Sequence, residues 1–314
     1  MVKLSNNTSE ISAVERVHQR QFIRSMAVDV GMSAVNMLPQ MLAGGMSSIK
    51  SEESVDETMP VDESDGLNRK DELTPEQKAD KVVNYIQTQR TGFNKNSKYI
   101  NELVSKYDLY KKVHADWSDN QIAERLNLYL KALEWHDKEL ELGEKFEEYM
   151  DTAVSNEDFA DKMNNCDVVI VDKDIENVVR NDDKENYANV IKNRGQAYIE
   201  LYDNGTCDGK IDFDEFCALE AKDIGQTELT DEQKAKAREY FDIVNKNGSS
   251  GDEYIDADEM AAHYYAISRL FDNDNSTHTE AEITMKEFYN STLIIESDKI
   301  KNAYTSRRNS YFGE

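Results

Sequence analysis

Apolar positions fall at helical spacing in three stretches of this chain. In residues 11–43, Phe22, Met26, Val30, Ala34, Met37, Leu38 and Met41 share one face, and Gly44-Gly45 supplies a stop. Arg16, Arg20 and Arg24 form a basic row near its start. The pattern predicts an amphipathic helix within an N-terminal segment, residues 1–45, that packs on the protein or docks on a protein partner. Flexible methionines suit such adaptable surfaces. The second stretch begins after Ser118, where Ile122, Leu126, Tyr129, Leu133, Leu140 and Phe146 make a stripe toward Met150. In the third, Ala237, Tyr240, Phe241 and Val244 follow Thr230.

Three later helices open with a start signal. Thr74-Pro75-Glu76-Gln77, Ser118 with Gln121, and Thr230 with Gln233 all read as capping boxes. No proline follows Pro75, which favours long helices. Between the N-terminal helix and Thr74, Ser51 to Asp65 carries seven acids and no base, so residues 46–72 read as a disordered acidic linker. The expected architecture is all-α. A helical bundle over 73–155, with Trp117 and Trp135 in its packing, leads through a connector at 156–183 to a helix-loop-helix domain at 184–305 and a tail at 306–314.

Charge narrows the function classes. Lys and Arg number 37 against 63 Asp and Glu, a net charge of −26. Such a field repels nucleic acid and attracts dications and basic partners. Three cysteines (Cys166, Cys207, Cys217) imply no disulfide framework and a reducing compartment. The first 20 residues lack the apolar core of a secretory signal. Met26 to Leu42 is interrupted by Asp29, Ser33, Asn36 and Gln40 and is too polar and short to span a bilayer. A soluble, cytoplasmic protein is expected. There is no phosphate-binding loop, dinucleotide turn or His-Glu-x-x-His, and His18, His114, His136, His263 and His278 are scattered, so no enzyme is expected.

The most informative chemistry lies at 203–216, Asp-Asn-Gly-Thr-Cys-Asp-Gly-Lys-Ile-Asp-Phe-Asp-Glu-Phe. Acids crowd a glycine, isoleucine stands two residues beyond it, and a glutamate closes the run. A hard dication asks for that order: many oxygens, a sharp turn, and a final bidentate carboxylate. Two further segments share its ends. Leu201-Tyr202-Asp203, Ile243-Val244-Asn245 and Leu270-Phe271-Asp272 begin them, and the pairs Ile211/Glu215, Ile255/Glu259 and Ile283/Glu287 close them.

These segments resemble the loops of the EF-hand calcium-binding family, and Leu229-Thr230-Asp231-Glu232-Gln233 through Tyr240-Phe241 is similar to the entering helix of calmodulin-type proteins. The resemblance implies calcium as cofactor. It further implies that each isoleucine makes a short β contact with a partner loop and that the residue before it offers its carbonyl, here Lys210, Tyr254 and Glu282. The implied side-chain ligands are Asp203 or Asn204, Thr206, Asp208, Asp212 and Glu215 in loop one. Loop two offers Asn245, Asn247, Asp252 and Glu259, and loop three offers Asp272, Asp274, Ser276 and Glu287.

The departures are specific. The loops span 13, 15 and 16 residues (203–215, 245–259, 272–287) against a standard of about 12. Only the first keeps the turn glycine, Gly209. Counted from the exit end, its first ligand becomes Asn204. Cys207 is expected in the exposed part of this loop, its pKa raised by the surrounding acids. Residues 257–271 must serve as exit helix for loop two and entering helix for loop three. Three loops leave one without a partner, and Asp161–Asp174, with a β contact from Val168 to Val171, is a candidate degenerate, metal-free fourth that lacks the glycine and the terminal glutamate. With only Met260 and Met285 in the C-terminal domain, a structural or buffering role is favoured over a sensor. The alternative is a calcium-independent helical interaction adaptor with degenerate EF-hands.

Overall fold

The computed structural model describes residues 73–245, 253–270, 281–292, 294 and 297–313. The predicted N-terminal helix, the acidic linker, and Asn247, Asp252, Asp272, Asp274, Ser276 and His278 lie outside the described residues. Among the described residues the fold is all-α, with one two-stranded sheet. The first part holds α1 (Pro75–Gln87), α2 (Ile100–Val113), α3 (Asp119–Thr152) and α4 (Asn156–Asn164). There follow β1 (Ile170–Val171), α5 (Lys173–Arg180), α6 (Lys184–Tyr202), α7 (Phe213–Asp223) and α8 (Asp231–Val244). The chain ends with α9 (Ala257–Arg269), β2 (Glu282–Ile283), α10 (Met285–Thr292) and α11 (Asp298–Tyr311). The expected tail at 306–314 is therefore largely the end of α11.

Three helix starts follow the expected caps. The Gln77 amide donates to Thr74 Oγ1 at 3.2 Å while the Thr74 amide donates to Gln77 Oε1 at 2.8 Å. The same reciprocal pair opens α3 at Ser118/Gln121 and α8 at Thr230/Gln233. Each such cap is worth about 1 kcal/mol by satisfying amides that have no partner inside the helix.

One apolar core runs from Val82 and Leu103 through Leu126 and Phe146 to Tyr198, Phe241 and Tyr304. The segments 73–155 and 184–305 are thus distinct in sequence but share their packing. Helix α6 stands at the centre, against α3 on one side and α9 on the other. Gly195 allows this: a Cβ there would lie 2.1 Å from the Ala257 carbonyl oxygen and 2.6 Å from the Ala261 nitrogen. The α6 and α9 backbones touch where any other residue would push them apart.

The helix ends are joined in two couples. Ile211 and Ile255 form an isolated antiparallel bridge, each amide donating to the other's carbonyl at 2.9 Å. Strands β1 and β2 pair antiparallel, with Ile170 opposite Ile283 and Val171 opposite Glu282. All four isoleucines are buried. Helix α9 runs unbroken from the loop-two bridge toward loop three, so the two couples share one helix.

Candidate metal centre

Loop one begins where α6 ends. The Asp203 amide closes the last helical turn on Ile199 at 2.8 Å, and its side chain turns into the loop, 2% exposed. Asp203 Oδ1 accepts from the Cys207 amide at 2.5 Å and from Thr206 Oγ1 at 3.2 Å, and Oδ2 accepts from the Gly209 amide at 2.8 Å. Two residues make this curl possible by adopting the left-handed region, Cys207 at φ 52° and Gly209 at φ 85°. From the exit side Glu215 reaches back: its Oε1 accepts from the Thr206 amide at 3.2 Å and from Thr206 Oγ1 at 3.3 Å. Gly205 leaves room for that carboxylate, since a Cβ there would stand 3.1 Å from Glu215 Oε1.

The loop thus brings Asp203, Thr206 and Glu215 together and leaves others apart. Asn204 is exposed and turned back on the helix, its Nδ2 donating to the Leu201 carbonyl at 2.6 Å, so Asp203 holds the inward place. Asp208 is exposed, accepting from the Lys210 amide at 3.0 Å. Asp212 is the N-cap of α7: it accepts from the Glu215 amide at 2.8 Å while its own amide donates to Glu215 Oε2 at 3.2 Å. The Lys210 Nζ lies over the Tyr254 ring at 5.2 Å, tying loop one to loop two. Burial, with the Glu215 charge assisting, pushes the Asp203 carboxyl up to about 6, while the Gly209 amide and Lys106 act against the rise.

Cys207 departs from expectation. It is 6% exposed, and burial comes first in pushing its thiol up to about 12, with Asp203, Glu200 and Glu215 adding to the rise. The side chain is turned inward because the left-handed backbone at 207 points it at the core.

The other closing glutamates repeat the local chemistry of Glu215. Asp256 caps α9 and pairs reciprocally with Glu259, which is 2% exposed. The Thr284 amide and hydroxyl both donate to Glu287 Oε2 at 2.7 Å. Burial pushes the Glu287 carboxyl up to about 7. Asn245 is buried at the end of α8, Tyr254 is 41% exposed, and Glu282 lies half-buried in β2. In the fourth loop Asp172 caps α5, accepting from the amides of Asp174 and Ile175. The third helical position, held by glutamate in the other three, is Ile175, fully buried.

Sequence reasoning missed what surrounds loop one. Lys106, Tyr110 and His114 stand one turn apart along α2 and all face α6 and the loop. The Lys106 Nζ donates to the Asp203 carbonyl at 2.6 Å and to Asn204 Oδ1 at 3.2 Å. The Tyr110 hydroxyl donates to Glu200 at 2.5 Å, and His114 Nε2 lies 2.7 Å from the Cys207 carbonyl. Their four-residue spacing was legible as a shared face, but nothing in the sequence said which partner that face meets. His136 on α3 reaches Asp223 on α7 at 3.0 Å and Glu139 at 3.4 Å. Burial opposes its charge, yet the two carboxylates outweigh it and push the imidazole up to about 10.

Among the described residues no group of three His, Cys, Asp or Glu side chains is assembled to hold a metal ion. No described helix is long and apolar enough to cross a membrane. No family model, curated protein or solved structure matches this chain.

Proposed function

We propose that this chain binds calcium through loop one, beside loop two, and that the ion fastens the helix-loop-helix part of the fold. The observation that carries the reading is the reciprocal Ile211–Ile255 bridge, followed on each strand by an acidic capping box that sets Glu215 and Glu259 at equivalent places. The donor chemistry fits a hard dication. Asp203, Thr206 and Glu215 present oxygens to one another across the loop, and Asp208 and the Lys210 carbonyl stand on the same turn. Bound calcium would supply two positive charges to carboxylates that are otherwise partly desolvated. Asp203 at about 6 is such a group.

A structural or buffering role fits better than a sensor. Sensors open an apolar groove between helices, whereas here α3 already lies across that face through His136–Asp223 and a Tyr198–Glu139 hydrogen bond of 2.8 Å. A cavity of about 120 Å³ remains there between Tyr202, Phe216, Tyr240 and Phe288.

One observation favours the second reading, a calcium-independent adaptor. The carboxylates of Asp203 and Glu215 are satisfied by the loop's own amides, which is how a loop without metal holds its shape. A calorimetric titration of the chelator-treated chain with calcium chloride in excess magnesium separates the two. Saturable heat that loses a site in Glu215→Gln supports calcium binding. Absence of heat at millimolar calcium removes it and leaves the adaptor.

A further inference from the structure

The row Lys106, Tyr110 and His114 has a role that neither packing of α2 nor the loop's own hydrogen bonds explains. Lys106 is 2% exposed, its ammonium bracketed by the Tyr110 and Tyr129 rings at 5.4 and 5.1 Å. Burying an ammonium is costly unless it is hydrogen-bonded. Its partners are the Asp203 carbonyl and Asn204 Oδ1, at the terminus of α6 where the helix dipole is negative. One turn on, Tyr110 bonds Glu200, which Arg125 also holds at 2.6 Å. A further turn on, His114 Nε2 donates to the Cys207 carbonyl, the residue in the left-handed region. The three contacts bracket residues 200–207, so α2 grips the final turn of α6 and the first half of the loop.

That half carries Asp203 and Thr206, while Glu215 belongs to α7. The loop is therefore gripped at one side by the helical region and closed at the other by its exit helix. We propose that Lys106 and His114 are positioning residues of loop one: they hold Asp203 and Cys207 where calcium is taken, and they make the helical region at 73–155 the resident partner that feels the loop fill. The proposal rests on the calcium reading above. Trp117 is the built-in reporter. Its ring stacks on His114 at 3.8 Å between centroids and 2° between planes, and the chain has only two tryptophans.

The test uses the full chain and calcium chloride. Calorimetry gives the affinity of loop one in the parent, Lys106→Met, His114→Ala and His114→Gln, and nitrogen-15 NMR follows the two indole N–H signals, assigned with Trp117→Phe. Losing one hydrogen bond that orders a ligand residue should weaken calcium about tenfold in His114→Ala. His114→Gln, whose amide can still donate to the Cys207 carbonyl, should restore affinity to within about threefold of the parent. The Trp117 signal should move on saturation in the parent and stay still in His114→Ala. Melting in chelator identifies a variant that fails to fold, and the glutamine rescue then carries the decision. If calcium binds and Glu215→Gln removes the site, yet His114→Ala matches the parent and the Trp117 signal never moves, the positioning role is wrong and the calcium reading stands. If the parent takes up no calcium, both are wrong.

Discussion

At Ile211 and Ile255 two loops meet between two acidic capping boxes, whereas at Ile170 and Ile283 one box with Glu287 meets a helix whose equivalent position is Ile175. The backbone contact is the same kind in both couples, and buried isoleucines make it. The carboxylates differ. Glu215 is half-exposed and answered by loop amides, whereas Glu259 and Glu287 are buried, and burial pushes the Glu287 carboxyl up to about 7. The pairing of helix-loop-helix units is thus an apolar and backbone property, separable from whatever the loop oxygens bind. The segment before Ile175 supplies its strand with no acid at that position.

The largest blow to this comparison would come from the isoleucines. Ile211→Ala and Ile283→Ala should each cost about 3 kcal/mol in denaturant unfolding, because each removes fully buried methylenes. A difference of more than about 2 kcal/mol between them would show that the couples are not held alike.

Next is the junction between the couples. Gly195→Ala should cost about 2 kcal/mol or more, since its Cβ meets backbone atoms of α9 rather than a side chain that can move aside. Both couples should loosen together in hydrogen exchange, as α9 belongs to each. Protection lost in one couple only would contradict the shared helix.

Calcium should separate the couples. At a free concentration one hundred times its dissociation constant, stabilisation should be about 2.7 kcal/mol in the parent. Thermal melts should show it lost in Glu215→Gln and largely kept in Glu287→Gln. The reverse pattern would move the principal site to the β1–β2 couple.

The smallest effect is one of pH. Glu287 lies above its ordinary value of 4.5, at about 7, so the folded state favours its protonated form. Its contribution is complete below about pH 4.5 and is lost as pH rises through 7. In chelator, Glu287→Gln should equal the parent near pH 4 and exceed it at pH 8. Equal stability at both values would mean that the carboxyl is not desolvated.

Much of the fold was legible because its signals are local. Thr74/Gln77, Ser118/Gln121 and Thr230/Gln233 each fix a helix start within a few residues, and the stripe from Ile122 to Phe146 marks a buried face. The bridging isoleucines Ile211, Ile255 and Ile283 could be read from repeated spacing, and the strand within Val168–Val171 from its apolar run. Cys207 could not be, since nothing local says that its backbone is left-handed and its thiol turned inward. The choice between Asp203 and Asn204 likewise waited for Lys106, which bonds the Asp203 carbonyl and Asn204 Oδ1 from a distant helix.

By itself the sequence determined the all-α class, three capped helix starts, the places where loops close on an isoleucine and a glutamate, and the acidic balance of the whole. These depend on backbone preferences and charges within a few residues of one another. Only the tertiary structure decided that loop one is gripped by α2 and that α3 covers the face between its helices. Those outcomes depend on which buried surfaces meet, and burial is a property of the assembled chain.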